Sequence, residues 1–140
     1  MEFKVKILNP KAIPPRYAHP GDAGLDVFAC EDHILKPGER HIFKLGFSAE
    51  FEPGYVCLVW DRSGLAAKQG LTNLAGVIDA GYRGEYAIVV LNTSETEVEV
   101  KTGERIAQML IQPIQSVEVK VVSELAVSQR SEGSFGSTGR

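Results

Sequence analysis

Short apolar runs separated by Pro- and Gly-bearing turns recur along this chain at intervals of roughly 8–12 residues. That rhythm fixes the fold class before composition is considered. It predicts strands over 3–8, 25–30, 41–47, 55–60, 85–92, 97–101, 106–112 and 117–122. Turn stretches such as Lys36-Pro37-Gly38-Glu39 and Glu52-Pro53-Gly54 divide them. Val98-Glu99-Val100 and Val117-Glu118-Val119-Lys120-Val121 alternate strictly, so each should have one wet face. The run from Tyr86 to Leu91 is continuously apolar and reads as a central strand. One stretch, 63–69, suggests a helix of about two turns that Gly70 could end. The expectation is an all-β sandwich or barrel with one short helix.

A length of 140 residues is one domain's worth. Such a domain buries roughly 68–70% of its unfolded surface, enough for a core without staples. The segment from Ser128 to Arg140 is rich in Ser and Gly and reads as a flexible arm following a body over 1–127.

Several functional classes recede on charge and composition. A net charge of −3 gives no overall basic field for nucleic acid. No apolar run approaches the ~20 residues of a membrane-spanning helix. Cys30 and Cys57 form no Cys-x-x-Cys pair, and His19, His33 and His41 are scattered, so the spacing suggests no zinc site. Reduced thiols, and a charged and apolar alternation at the start in place of a signal peptide, favour the cytosol. An organelle address removed earlier is compatible with the same sequence. An anionic ligand would have to be held by a few arginines and backbone amides.

Five polar segments interrupt the strands. In Ala23-Gly24-Leu25-Asp26-Val27-Phe28-Ala29, an Asp enters an apolar strand, where Asp is disfavoured; alone, it could simply be a turn residue. Asp61-Arg62-Ser63-Gly64-Leu65-Ala66 opens the helix, where free N–H groups and an Arg fork suit phosphate, though Ser63 could be a plain N-cap. The stretch from Asn73 to Glu85 flanks Asp79-Ala80-Gly81-Tyr82 with two apolar arms, as at a hairpin tip. A carboxylate so held could take a proton from water, or be an ordinary turn Asp. Gln108 sits in an apolar strand, where its amide needs partners. The last segment, Gly133-Ser134-Phe135-Gly136-Ser137-Thr138-Gly139, offers close backbone approach and hydroxyls, but lacks the ending of a P-loop.

In order and content these segments resemble the five motifs of the trimeric dUTPase family, from about Ala23 to Gly139. The resemblance implies a jelly-roll-like β-barrel of the dUTPase-like β-clip type, a homotrimer, and active sites at subunit boundaries closed by the C-terminal arm of a neighbouring subunit. It implies hydrolysis of dUTP to dUMP and diphosphate, which limits uracil in DNA and supplies dUMP for thymidylate. Asp79 would be the general base. The segment from Asn73 to Tyr82, with Asn73, Gly76 and Ile78, would hold uracil, and Tyr82 would exclude a 2′-hydroxyl. Arg62, Ser63, Gly64 and Gln108 would hold phosphates. Arg130, Ser137 and Thr138 would reach the terminal phosphates, with Phe135 and Gly136 over the base. Mg²⁺ would ride on the substrate phosphates, with no direct protein ligand and Asp26 at most behind it.

Two positions depart from the family pattern. Asp61 stands where many members carry Pro, and adds negative charge near the phosphates unless it points away or pairs with Arg62. Ser134 replaces a common Gly; if φ is positive there, Ser costs roughly 1–2 kcal/mol. A dCTP deaminase of the same fold is the nearest rival, and a regulatory protein without catalysis is a rival of another class. The arm and the Asp79-to-Tyr82 segment favour the diphosphatase over the first. The presence of Asp79, Arg62, Ser63, Gln108 and Arg130 argues against the second.

Overall fold

A computed structural model describes residues 1–128. Within them, eleven strands and one helix follow one another: β1 (Lys4–Ile7), β2 (Leu25–Phe28), β3 (His33–Leu35), β4 (Arg40–Lys44), β5 (Phe47–Glu50), β6 (Tyr55–Trp60), α1 (Ser63–Gln69), β7 (Leu71–Leu74), β8 (Val77–Asp79), β9 (Ala87–Asn92), β10 (Val98–Val100) and β11 (Arg105–Pro113). They pair only antiparallel, in four small sheets ordered β1-β5, β10-β3, β2-β11-β6-β8 and β4-β9-β7. The sheets wrap one core in a jelly-roll-like barrel, the expected class. None of the described helices is long and apolar enough to cross a membrane.

Period-2 patterning explains which side chains fill that core. On β9, Ile88, Val90 and Asn92 point inward, and on β10 Val98 and Val100 do so while Glu99 faces out. Phe43, Phe47, Leu35, Leu45, Tyr86 and Met109 are fully buried. Asn92 is the buried amide among them. Its Nδ2 donates to the Leu35 and Thr96 carbonyls at 3.0 and 2.8 Å. Its Oδ1 accepts from the Ser94 N–H and Oγ–H at 2.9 and 2.7 Å. The end of β9, the next turn and β3 are thereby tied together.

β6 and α1 occupy the expected ranges, and β9 is central in its sheet. Gly70 closes α1 in the left-handed conformation, its N–H turned back to Ala66 and Leu65. The expected strand over 41–47 is instead two, β4 and β5, in different sheets. Gly46 (φ 72) turns the chain where a Cβ would lie 2.8–2.9 Å from Ala12, Asn9 and Cys30. The arms flanking Asp79 to Tyr82 do not pair as a hairpin: β8 joins β6, while β9 lies between β4 and β7. The expected strand over 117–122 does not form. Val117, Val119 and Val121 are 79, 86 and 94% exposed, because no described strand covers their apolar face. The arm beyond Ser128 lies outside the described residues.

Both cysteines are free and buried. Burial pushes the Cys57 thiol up to about 12. The folded state therefore keeps the thiol where the unfolded chain ionises. Its contribution is whole below about pH 8.5 and is lost as pH rises toward 12. Iodoacetamide at pH 8 is expected to leave Cys57 unmodified until denaturant is added; modification of the native protein, read by peptide mass, contradicts that burial. Asn92→Ala is expected to cost about 3 kcal/mol in urea denaturation, since partners at both ends lose a buried bond.

Candidate active site

The strands bring the first, second and fourth polar segments to one place. Asp26 on β2 is buried, and its carboxylate meets Arg62 Nε at 3.1 Å and Arg105 Nε at 3.5 Å. This is why an Asp stands in an apolar strand. The register of β11 against β2 shifts between Arg105 and Ala107, a bulge of the kind that re-aims a side chain. Around the trio lies an open cavity of ≈ 420 Å³, lined also by Ser63, Gly64, Gln108 and His19. Two guanidinium groups and the start of α1 make it a cradle for an anion. α1 has no side-chain cap and no acidic residue in its first turn. A Cβ on Gly64 would meet nothing within 4 Å. Packing therefore does not require that glycine; closer approach of a ligand would.

Gln108 answers the question of its partners. Its Nε2 donates to the Asp61 carbonyl at 2.8 Å, while a Cβ on Gly24 would collide with its Oε1. The bare Gly24 backbone is what lets the amide sit there.

Asp61 points away from the cradle. Its Oδ2 accepts from Thr72 Oγ at 2.7 Å and its Oδ1 from the Asn73 backbone N–H at 2.6 Å. Its charge is spent on the start of the Asn73-to-Tyr82 segment, and Arg62 pairs with Asp26 instead. The sequence flagged Asp61 as a departure but gave no sign of Thr72 as its partner. Arg105, three residues before Gln108, joins it at the cradle through a bulge that is not visible in the residues.

The third segment builds a separate cavity of ≈ 280 Å³, lined by Gly76, Ile78, Asp79, Tyr82 and Tyr86 among others. The chain turns sharply at Ala75 (φ 63) and Gly76 (φ 121) as it passes from the β7 sheet to the β8 sheet. A Cβ at Gly76 would lie 3.0 Å from the Val59 backbone oxygen, and the Gly76 carbonyl accepts the Val59 N–H at 2.8 Å. Asp79 to Tyr82 form the expected tight turn, with the Tyr82 N–H donating to the Asp79 carbonyl at 3.0 Å. Arg83 braces it by donating to the Ala80 and Tyr82 carbonyls at 2.6 and 3.1 Å. Asp79 is exposed, and the Tyr82 hydroxyl donates to the Glu85 carbonyl at 3.0 Å. Asn73 lies in neither cavity; it lines a neighbouring one with Trp60, Asp61, Gly76 and Val77. Arg130, Phe135, Gly136, Ser137 and Thr138 fall outside the described residues.

An anion cradle in one place, and in another an apolar recess edged by a carboxylate, suit a phosphorylated nucleoside. Residues 10–139 match the dUTPase family. The Clostridium kluyveri deoxyuridine 5'-triphosphate nucleotidohydrolase is 46% identical over 141 residues, covering 99% of both chains. That of Nautilia profundicola is 44% identical over 142 residues, covering 100% of both. A Staphylococcus bacteriophage 80alpha dUTPase with dUPNHPP superposes with a TM-score of 0.95, at 34% identity over 99% of each chain. A mutant dUTPase of phage phi11 from S. aureus, described with a structural Mg(II) ion, has a TM-score of 0.85 at 28% identity, covering 91% of this chain and all of that one. The chain belongs to the dUTPase family.

Asp61→Ala is expected to lower kcat/KM for nucleotide about tenfold, roughly one hydrogen bond's worth of positioning. Steady-state kinetics beside circular dichroism will show it; unchanged kinetics would make Asp61 a bystander.

Proposed function

We propose that this chain hydrolyses dUTP to dUMP and diphosphate as a Mg²⁺-dependent homotrimer in the cytosol. The observation that carries the reading is the exposed Asp79 carboxylate, fixed on a braced turn beside Tyr82 in one recess. In this scheme a water oxygen attacks the α-phosphorus and Asp79 takes its proton. The new O–P bond forms as the α–β bridge breaks, and diphosphate leaves with the bridging oxygen. Arg62, Ser63, Gly64 and Gln108 hold the phosphates, and the arginines meet charge developing on the leaving group. Gly76 and Ile78 contribute backbone to the base pocket, with Asn73 at its edge. Tyr82 stands where a 2′-hydroxyl would lie.

The residues fit a metal borne by the substrate. Asp26 is engaged by two arginines, and the cradle cavity has no His/Cys cluster among the described residues. When bound, Mg²⁺ supplies charge neutralisation on the phosphate oxygens.

Two observations support assembly. The cradle and the Asp79 recess share no lining residue, which is compatible with a nucleotide that takes its phosphate contacts from one chain and its base contacts from another. Val117, Val119 and Val121 also present an alternating apolar edge that a neighbouring copy could cover. We read 1–127 as the body and 128–140 as an arm that brings Arg130, Phe135, Gly136, Ser137 and Thr138 to another subunit's site. Free, buried thiols suit a reducing compartment.

The first test is diphosphate release from dUTP, dTTP, dCTP and UTP, with Mg²⁺ and with chelator. Release from dUTP alone, abolished by chelator, is expected; conversion of dCTP would point to the deaminase. Asp79→Asn is expected to keep affinity and lose about 10²–10⁴ in kcat. Tyr82→Ala is expected to admit UTP. Light scattering should give a mass three times that of the chain, and a stable monomer with full activity would sink the shared-site scheme.

A further inference from the structure

A second constellation lies away from both cavities, at the corner where β3 leads into β4. His33 opens β3 and His41 lies on β4; Glu39 is in the turn between them, and Glu31 precedes β3. The two imidazoles stack with centroids 3.6 Å apart and planes 12° from parallel. Both meet the buried Phe43 ring edge to face, His41 at 4.6 Å and His33 at 6.0 Å. His33 Nε2 lies 2.7 Å from Glu39 Oε1, and His41 Nε2 lies 3.0 Å from Glu31 Oε1. All four side chains are partly accessible, between 25 and 43% exposed.

We propose that this corner is a binding site for a divalent transition metal of the zinc class, with His33, His41 and Glu39 as ligands and Glu31 as a fourth donor. One donor atom from each of His33, Glu39 and His41 already lies within 4.8 Å of the others, and this is the convergence of metal-ligating groups found among the described residues. A tetrahedral zinc with bonds of about 2.0–2.2 Å needs its donors about 3.4 Å apart and lies in the plane of each imidazole, so the two rings turn out of their parallel stack to close on it. To bind the cation each imidazole presents one ring nitrogen as a bare lone pair, with its one remaining proton on the other nitrogen.

The ligand set argues for this class of ion over Mg²⁺. Imidazole nitrogens suit zinc, nickel and copper, whereas Mg²⁺ prefers an octahedron of oxygens. The outer contacts are also in place. Glu39 Oε2 accepts the Lys36 backbone N–H at 2.7 Å, which orients the carboxylate and leaves Oε1 toward His33. Phe43 packs edge to face against both rings and gives the corner an apolar floor. Because β3 pairs with β10 and β4 with β9, a metal here would pin two sheets together.

Full-length apo protein, free of nucleotide, is titrated with ZnCl₂ against a chromophoric chelator. The expected result is one zinc per chain at micromolar metal, not displaced by millimolar Mg²⁺, with a rise in melting temperature. His33→Gln/His41→Gln should lose this binding and the thermal shift while keeping the wild-type circular dichroism. Should that variant not fold, long-range ¹H–¹⁵N spectra of the wild type decide. Equimolar zinc should move the imidazole signals of His33 and His41 and leave those of His19 in place. Substoichiometric uptake, uptake undiminished in the variant, or shifts at His19 instead would overturn the site. The outcome is independent of dUTP turnover, since none of the four residues lines either half of the active site.

Discussion

The cradle depends on one buried carboxylate. Asp26 sits in a core strand beside Val27 and Phe28, where an unpaired charge would cost several kcal/mol. Arg62 and Arg105 answer it from the start of α1 and from β11. The apolar neighbours on β2 bury the Asp, and the buried Asp gathers the arginines. The arginines in turn form an anion site in a chain whose net charge is −3. A surface pair would be worth at most about 1 kcal/mol and would hold nothing in place; here burial makes the pairing obligatory.

The second constraint is the end of β6. Three positions there, 59, 61 and 62, serve three tasks. Val59 donates its backbone N–H to the Gly76 carbonyl, Asp61 accepts from Thr72 and Asn73, and Arg62 turns to Asp26. Successive side chains of an extended strand point to opposite sides, so neighbouring residues can address the base-side segment and the phosphate cradle separately. Gln108 locks the junction by binding the carbonyl of Asp61. An Asp at this position is therefore compatible with a phosphate site, because its carboxylate is consumed on the other side of the strand.

Elements with a strong period were legible in the sequence. β9 and β10 carry an alternating burial pattern, β6 is a continuous apolar run, α1 is marked by the Gly70 that ends it, and the turn at Asp79 carries its own chemistry. β3 was not legible: it has three residues, and Ile34 at its centre is exposed. The break between β4 and β5 hides behind apolar Leu45 and Phe47, both core residues on either side of one glycine. Motif order proposes the site residues, but not their contacts. Asp61 reaches Thr72 across 11 positions and Gln108 reaches Asp61 across 47, so each depends on strand register rather than on local pattern. The His33–His41 stack was missed for a related reason: histidines that look scattered along the chain meet where the chain turns a corner.

The run over 117–122 shows where single-chain reasoning ends. Its alternation does encode a strand face, but a strand forms only when its backbone groups find partners. Burying one valine side chain is worth roughly 1.5 kcal/mol or more, so three left in water are a standing incentive for association. The same logic applies to the proposed active site. The cradle and the Asp79 recess share no lining residue, and under the proposed shared-site scheme the reacting groups meet only when copies do. Apolar surface that drives assembly would then also drive assembly of the chemistry, so that loss of the interface and loss of turnover become one event.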